Sequence, residues 1–357
     1  MGVYQMDKLK VGIVGLGRWA RVLTRASTLS EKVEIVVGFS RSADTRSKFE
    51  EETGIPSVSS LDEMLSRDDI KGVILTVPNE QHYPVALQVA KAGKHVYTEK
   101  PIAHNLEHGL AIEKLQAEFG ITVTVGHSAR LLGGVQEIKK RITAGELGKV
   151  GFFEANFSNE RALELTPDTW RWYKDRAPGG PLSQLAIHMF DVVNYLGADI
   201  VEASSIASKL SPVGAEVDDQ SMTLLKFSDG AIAYIGTCWT SPGIFALRVF
   251  GSKGLIHYEI DFGTWDTPEE IKNSSTFYIQ RGKDGFGKRE VLSEPETNMF
   301  TAELDIFADS CRSGKTSVLS AENGNEAVAC VYAALSSIER NGAGVKLSEV
   351  VEAASKK

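Results

Sequence analysis

Apolar and polar residues follow one another in two different rhythms along the 357-residue chain. In the first third, short runs rich in Val and Ile recur at 10–15, 33–39, 72–77, 95–99 and 121–126. The segments between these runs carry apolar residues at helical spacing. Strands that are apolar on both faces and alternate with helices form parallel sheets with helices on both sides. The pattern therefore predicts a doubly wound α/β domain over residues 1–126.

The rhythm changes after residue 126. Helices are predicted near 134–144 and over 181–197, the second directly after a Gly-Gly-Pro turn. Strands with little helix between them then follow at 201–209, 219–228, 231–240, 245–251 and 254–259. This succession indicates an open, mostly antiparallel sheet in an α+β domain over residues 127–357.

Two further helices are predicted at the end of the chain, over 298–313 and 321–340. The first has an apolar face made of Phe300, Leu304, Phe307 and Cys311. Such a face must be buried against another element, so these helices are expected either within the second domain or packed back on the first.

Composition and charge limit the partners of the chain. Its apolar fraction of 42% and charged fraction of 24% are those of an ordinary soluble globular protein. A net charge of −8 argues against binding to nucleic acid or to an anionic membrane, because the field of the whole molecule repels both. The three cysteines are far apart, and the N-terminus lacks the apolar run of a secretory signal. These features favour a cytoplasmic protein.

A glycine-rich turn directly follows the first predicted strand. Gly15 and Gly17 begin a GxGxxA string that ends at Ala20, and Arg18 and Trp19 open the next helix. The first glycine allows a tight turn, the second lets the backbone approach a pyrophosphate, and the small third residue lets helix and strand pack closely. Free N–H groups at the helix N-terminus then bind phosphate. The strand-turn-helix context predicts the dinucleotide site of a Rossmann domain.

The end of the second predicted strand bears on the choice of cofactor. Ser40 and Arg41 occupy the place where NAD-binding chains usually have an acid for the ribose hydroxyls. A hydroxyl and a guanidinium suit a 2′-phosphate, which a carboxylate would repel. NADP(H) is therefore favoured. NAD(H) stays possible if Arg41 merely stacks on the adenine.

Three stretches together resemble the Gfo/Idh/MocA family of oxidoreductases: "VGIVGLGRWA", "TVPNEQHYPVALQVAKAGKHVYTEKPIA" and "GGPLSQLAIHMFD". The segments "ITAGELGKV" and "GVKLSEV" extend the resemblance over nearly the whole chain. Members of this family pair a Rossmann domain with an open antiparallel sheet. Most transfer hydride between a nicotinamide and a carbinol or carbonyl carbon of a sugar, polyol or sugar derivative. The resemblance implies this activity for the chain.

In "YTEKPIA", the resemblance assigns Lys100 to the family lysine that binds the reacting oxygen. An ammonium group at that place stabilises negative charge on the oxygen. A cis bond between Lys100 and Pro101 is expected, because it would aim the lysine beyond the strand end. By the same resemblance, the nicotinamide end of the cofactor site is lined by Thr76, Pro78, Asn79, His82 and Glu99. A histidine at the start of a helix, such as His82, is more often structural, so it is given no catalytic role.

The helix after the Gly-Gly-Pro turn has a polar stripe formed by Gln184, His188, Asp191 and Tyr195. The spacing alone is also that of a solvent-facing stripe. The resemblance makes His188 the acid/base of the reaction, a role suited to an imidazole that titrates near neutrality. Many family members have Asp where this chain has Gln184, and an amide cannot take up a proton.

Three residues before and beside this helix are further candidates for binding the substrate. Trp170 and Arg171 match a Trp-Arg pair of the family, and Arg130 follows the last strand of the first domain. An aromatic face suits the C–H surface of a sugar, and a guanidinium suits a carboxylate or a pair of hydroxyls. Packing of these side chains at a domain interface is the alternative.

The string from His104 to His108 fits the HxxEH pattern of one class of zinc peptidases. No third ligand follows in sequence, and such a zinc site needs three protein ligands. We therefore expect no metal site.

Two other functions stay open at this point: a non-catalytic NADP-binding sensor, and a glycosidase of the same family that uses NAD transiently. The exposed face of a large antiparallel sheet normally needs a cover. The sequence therefore predicts a homodimer or homotetramer that assembles through the C-terminal sheet.

Overall fold

The computed structural model describes residues 7–282 and 288–356, and the chain divides into two compact units. The first unit combines the chain up to Ser128 with Asn298–Asn325. The second combines Ala129–Thr297 with the chain from Glu326 onward.

The first unit is built on a six-stranded sheet with the order β3-β2-β1-β4-β5-β6. Each pairing between these strands is parallel, which confirms the predicted doubly wound sheet. The two-residue strand β3 has no apolar run of its own and was not predicted. The strands are β1 (Leu9–Val14), β2 (Val33–Phe39), β3 (Ser57–Val58), β4 (Gly72–Leu75), β5 (His95–Glu99) and β6 (Val123–Gly126).

Helices connect the parallel strands, as crossover connections require. Several begin with a side-chain cap; Ser42 accepts a hydrogen bond from the backbone N–H of Thr45, and Asn105 accepts one from that of His108. The helices are α1 (Arg18–Leu29), α2 (Ala43–Thr53), α3 (Leu61–Leu65), α4 (His82–Lys91) and α5 (Leu106–Phe119).

Helix α9 (Met299–Ser313) also lies in the first unit, where it packs against α1. Phe300, Leu304 and Phe307 on its predicted apolar face are buried. The Phe307 ring meets that of Tyr97 edge-on with centroids 5.9 Å apart. The return of the chain after the second unit therefore completes the core of the first.

The second unit contains a nine-stranded sheet with the order β14-β13-β12-β11-β7-β10-β9-β8-β15. The pairing of β7 with β10 is parallel, and the other pairings among the described strands are antiparallel. The predicted open, mostly antiparallel sheet is thus confirmed. The strands are β7 (Val150–Ser158), β8 (Ile200–Ser208), β9 (Gln220–Phe227), β10 (Ile232–Cys238), β11 (Ile244–Gly251), β12 (Gly254–Asp261), β13 (Thr276–Arg281), β14 (Arg289–Val291) and β15 (Val345–Lys346).

One face of this sheet is covered by helices and the other carries exposed apolar side chains. Helix α7 packs on β7 and β10, and α6 packs on β12. On the opposite face, Val201, Ile206, Met222, Leu224 and Ile232 are exposed on three neighbouring strands. The helices of this unit are α6 (Gly133–Thr143), α7 (Ile187–Leu196), α8 (Ile271–Ser274), α11 (Leu347–Ser355) and, beginning in the first unit, α10 (Ala321–Glu339).

Across the two described segments of the chain, every helix is too short or too polar to traverse a lipid bilayer.

Candidate active site

The glycine loop between β1 and α1 has the geometry that its sequence predicts. Gly15 has a φ of +91°, and a Cβ there would lie 2.9 Å from the carbonyl oxygen of Thr76. A side chain is therefore excluded at this position on two grounds. The Gly15 N–H donates to Phe39 O at 2.9 Å, and the Thr76 hydroxyl donates to Gly15 O. Thr76 thus holds the glycine loop in place through this hydrogen bond.

The N-terminus of α1 is left open toward an anion. Gly17 is its N-cap residue, makes no side-chain capping bond and is exposed. A Cβ on Gly17 would meet no described atom within 4 Å, and the first turn from Arg18 contains no acidic residue. Because the first N–H groups of a helix lack intrahelical partners, they suit a phosphate. These features fit the pyrophosphate of a dinucleotide.

Two further residues of the motif, Trp19 and Ala20, pack against other parts of the first unit. Ala20 is fully buried, as close packing of α1 on the sheet requires. The Trp19 ring meets the Phe300 ring edge-on with centroids 5.3 Å apart. The half-buried Trp19 side chain therefore packs on α9, and its contact with the cofactor stays a prediction.

Beyond the end of β2, a second arginine joins the predicted pair. Ser40 is half-buried and Arg41 is exposed. Arg46, on the second turn of α2, donates from Nη1 to Ser40 O at 2.7 Å and to Arg41 O at 3.3 Å. Arg46 was not predicted from the sequence, although its place on the helix that follows β2 could have indicated a role at this strand end. Two guanidinium groups therefore belong to this strand end.

Lys100 directly follows β5 and is half-buried. The expected cis bond to Pro101 is confirmed. The backbone N–H of Lys100 donates to Glu99 Oε2 at 3.3 Å, and Glu99 itself is buried. Burial raises the pKa of Glu99 to about 7, while the Trp19 indole and the Lys100 charge act in the opposite direction. Glu99 is therefore a buried acid next to Lys100 with a pKa of about 7.

The loop after β4 contains three more residues predicted at the cofactor. Pro78 is exposed and Asn79 is half-buried, at the start of a short 3₁₀ turn. His82, however, is buried, with Nδ1 2.9 Å from Pro101 O and Nε2 3.1 Å from Val77 O. Its ring is enclosed by two backbone carbonyls, as expected of a structural histidine, and its place at the cofactor stays a prediction. His82 joins the loop after β4 to the loop that carries Lys100.

In the second unit, a π-helical turn precedes the helix that carries His188. Gly180 has a φ of +52°, and a Cβ there would lie 2.2 Å from Asp218 O, which explains the glycine. Residues Leu182–Ala186 form the π turn and α7 follows directly. Such turns are frequent at functional sites because they shift side chains relative to a regular helix. The angular relation of Gln184 to His188 therefore differs from the regular helical spacing assumed from sequence.

His188 lies in an aromatic surrounding. It is buried, with the Phe157 and Trp265 rings edge-on at centroid distances of 5.3 Å and 5.7 Å. Trp265 was not predicted, because it follows the strands in a segment without helical or strand periodicity. These rings fix the imidazole plane by packing.

Three of the predicted substrate-binding residues contact one another in this unit. The Arg171 guanidinium lies over the Trp170 ring, 4.3 Å from its centroid. Arg171 Nε donates to Gln184 Oε1 at 3.4 Å. Trp170 and Arg171 are half-buried and Gln184 is buried. A cation, an aromatic face and an amide therefore form one group in the second unit.

Arg130, a candidate for binding the substrate, makes a buried ion pair within the second unit. Its side chain is 6% exposed, and Nε donates to Asp191 Oδ2 at 2.9 Å while Nη2 contacts Oδ1. The guanidinium also lies over the Tyr195 ring at 5.1 Å. A buried bidentate pair of this kind holds elements together and is costly to break. Asp191 and Tyr195 therefore form an internal support rather than a solvent-facing stripe.

Among the described residues, no three His, Cys, Asp or Glu side chains are grouped in a way that could hold a metal ion. His108 of the HxxEH string stacks on Tyr83 with ring centroids 4.9 Å apart. The string thus has an ordinary packing role at this histidine.

Comparison with known proteins identifies the family. A family profile described as "Oxidoreductase family, NAD-binding Rossmann fold" matches residues 9–127, and the "GFO/IDH/MocA C-terminal domain" matches residues 135–257. A crystal structure from Desulfitobacterium hafniense DCB-2, provisionally described as an NADPH-dependent oxidoreductase, is 34% identical with a TM-score of 0.93. That comparison covers 97% of this chain and 99% of the other. The chain belongs to the Gfo/Idh/MocA family. It is an NAD(P)-dependent oxidoreductase.

Other similar members of the Gfo/Idh/MocA family are named for their reactions. Glucose-6-phosphate 3-dehydrogenase of Bacillus subtilis (strain 168) is 29% identical over 203 residues, which are 57% of each chain. The scyllo-inositol 2-dehydrogenase (NAD(+)) of the same bacterium is 27% identical over 294 residues, 80% of each chain. The predicted family membership and fold are thus confirmed.

The position of His82 predicts a pH-dependent stability. Burial lowers the pKa of His82, against the effect of the carbonyls of Pro101 and Val77, so the folded state binds a proton less readily than the unfolded state. Its contribution to stability is therefore lost as pH falls through about 6.5, the usual imidazole pKa. We expect His82→Gln to flatten the fall in melting temperature between about pH 7.5 and 5.5.

The matched control for this measurement is the wild type, which shares the other titrating groups with the variant. Parallel declines in melting temperature for the two proteins would contradict the assignment of His82 as a buried neutral histidine.

Proposed function

We propose that the chain transfers hydride between NADP(H) and a carbinol or carbonyl carbon of a sugar, polyol or sugar derivative. The observation that carries the proposal is the first unit's strand edge, where an uncapped helix N-terminus and a half-buried lysine follow β1 and β5. Ligands of open α/β sheets bind beyond the carboxyl ends of the strands. Lys100 and Gly17 are both at such ends.

The bound nicotinamide would supply the hydride acceptor or donor, and the side chains handle the oxygen and its proton. Lys100 stabilises negative charge on the substrate oxygen through its ammonium group. His188 accepts the proton in oxidation and returns it in reduction. The aromatic packing of Phe157 and Trp265 limits the orientations of this imidazole. Neither of these proposed roles requires a carboxylate at Gln184.

The group formed by Trp170, Arg171 and Gln184 supports a hydroxylated substrate. An indole face packs on the C–H surface of a sugar ring, and an amide and a guanidinium can bind hydroxyl oxygens. The relatives named for a sugar phosphate and an inositol agree with this substrate class. The names do not agree on one carbon or one ring, so the proposal is limited to the class.

The preference for NADP(H) is supported by the end of β2. Ser40, Arg41 and Arg46 supply a hydroxyl and two guanidinium groups there, and the segment 40–43 contains no carboxylate. Two guanidinium groups, against one acid at Asp44 in the first turn of α2, favour a 2′-phosphate over a free ribose hydroxyl. The description of the Desulfitobacterium relative also names NADPH.

We further propose that two or four copies assemble through the uncovered face of the nine-stranded sheet. Leu224 and Ile206 are 56% and 61% exposed there, and Met222 lies directly opposite Ile206 in the strand register. Leu224 in turn lies opposite Tyr234 on β10. An apolar patch on a regular sheet face can be buried against the same patch of a second copy related by a two-fold axis, which favours a second copy as its cover.

Replacement of Lys100 tests the catalytic proposal. Lys100→Met keeps the length of the side chain and removes its charge. We expect kcat/KM with the best sugar or polyol of a substrate panel to fall on the order of 100-fold to 1000-fold. The affinity for NADPH, measured by fluorescence titration, is expected to change much less. Lys91→Met, at an exposed lysine of α4, is the matched control, and equal turnover in the two variants would remove Lys100 from the mechanism.

Replacement of Arg46 tests the cofactor preference. Arg46→Ala should weaken NADPH binding by about 10-fold to 100-fold, because a hydrogen bond to a charged group is worth about 1.5–3 kcal/mol. NADH binding should change little. Lys48→Ala removes the same charge from an exposed position on the same helix and serves as control. Equal losses for NADH and NADPH would contradict a 2′-phosphate contact.

A charge on the uncovered sheet face tests the assembly. Leu224→Glu should shift the protein from oligomer to monomer in sedimentation velocity at micromolar concentration, because a carboxylate in an apolar interface is strongly unfavourable. Leu163→Glu makes the same change at a position that is 50% exposed outside the sheet. A wild type that sediments as a monomer would refute the assembly.

A further inference from the structure

A buried group of acids lies beneath the Lys100 loop in the first unit. Glu99 at the end of β5 is 7% exposed, and Glu303 on α9 is 0% exposed. Tyr97, two residues before Glu99 on the same face of β5, is also fully buried. The family comparison, the cofactor loop and the proposed acid/base do not account for Glu303.

The space for the Tyr97–Glu99 contact is built into the neighbouring strand. The Tyr97 hydroxyl donates to Glu99 Oε1 at 3.3 Å. Gly126 on β6 is the register partner of Glu99, and a Cβ there would lie 2.5 Å from the Tyr97 hydroxyl and 3.0 Å from Glu99 Oε1. A side chain at position 126 would therefore displace the phenol or the carboxyl. Glycine keeps the two polar groups together.

Glu303 interrupts an apolar helix face. It lies one turn from both Phe300 and Phe307, which are buried against Trp19 and Tyr97. Within the described residues, neither oxygen of Glu303 has a hydrogen bond of full geometry, although the carboxyl is near enough to interact with the Tyr97 hydroxyl and with Glu99. Burying an ionised carboxylate that lacks well-formed hydrogen bonds in an apolar core costs a large free energy.

The two carboxyls have unequal surroundings. Glu99 accepts from the Lys100 N–H and the Tyr97 hydroxyl, and the Lys100 charge and the Trp19 indole also favour its ionised form. Glu303 shares the Tyr97 hydroxyl with Glu99 but has neither the Lys100 charge nor the Trp19 indole among its contacts, and burial and then the negative charge of Glu99 raise its pKa well above the usual value. When two interacting acids share a site, the less supported one keeps the proton.

We propose that Glu303 holds a proton throughout the physiological pH range, and that Glu99 alone gains and loses one. Glu303 is then a positioning residue, a neutral acid that keeps Glu99 in place behind Lys100 without adding a second negative charge. The groups that face Glu99 are Trp19 from α1, Tyr97 from β5, Glu303 from α9 and Lys100 from the following loop. Its titration therefore changes the charge directly beside the lysine. This last step rests on the proposed function, whereas the protonation of Glu303 does not.

Infrared difference spectroscopy tests the protonation directly, since a protonated carboxyl has a C=O band that a carboxylate lacks. We expect the wild type to keep one protonated-carboxyl band at about pH 9, far above an ordinary glutamate pKa. Glu303→Gln should lose that band, and Glu99→Gln should retain it. Circular dichroism of both variants checks that each is folded.

The possible outcomes separate the inference from the proposed function. A wild type without such a band at about pH 9, or a band that survives in Glu303→Gln, overturns the inference whether or not the enzyme turns over sugars. Loss of the band in Glu99→Gln would assign the held proton to Glu99 and overturn it as well. Failure of the Lys100 test would leave the spectroscopic result intact.

Thermal stability gives a second readout. An acid whose pKa is raised in the folded state stabilises that state below its unfolded pKa, and the stabilisation is lost as pH rises through the folded pKa. For Glu99 the folded value is about 7. Glu99→Gln should therefore gain in melting temperature relative to wild type as pH rises through about 7, because an amide does not titrate. A difference in melting temperature between Glu99→Gln and wild type that stays constant as pH rises through about 7 would contradict the titration of Glu99.

Discussion

The parallel pairing of β1, β2, β4 and β5 is the constraint on which the first unit depends. Parallel strands place all their carboxyl ends at one edge, where the backbone must leave the sheet and turn into a helix. Three of these turns carry a group that we propose for a dinucleotide or its substrate: the open helix N-terminus after β1, the arginines after β2 and Lys100 after β5. Their common location follows from strand direction alone.

The same constraint creates a need for internal supports, because loops at a strand edge have few hydrogen bonds of their own. Thr76 holds the glycine loop through Gly15 O, and His82 bridges the carbonyls of Val77 and Pro101. In the second unit, Asp191 binds Arg130 from the helix that also carries His188. Thr76, His82 and Asp191 therefore hold loops and helices in place through internal hydrogen bonds.

The sequence allowed prediction of features whose signal is local. The strand-turn-helix context of Gly15, the Glu-Lys-Pro turn at Lys100 and the apolar face of α9 each lie within a few residues, and the structure has them as expected. The pairing of Arg130 with Asp191 spans 61 residues and has no local signature. The π turn at Leu182–Ala186 is likewise hidden, since its sequence also fits a regular helix.

Glu303 shows most clearly what local sequence patterns fail to predict. On an amphipathic helix a glutamate next to an apolar stripe normally indicates the solvent side, so the sequence favours exposure, whereas the structure buries the side chain fully. A leucine of similar volume at such a place would commonly be neutral or stabilising, because a buried ionisable group carries a desolvation cost. Local rules that fail in this way are expected at functional positions more than at structural ones. The burial of this acid directly behind Glu99, rather than elsewhere along α9, is therefore better explained by the chemistry proposed for Lys100 than by the stability of the helix.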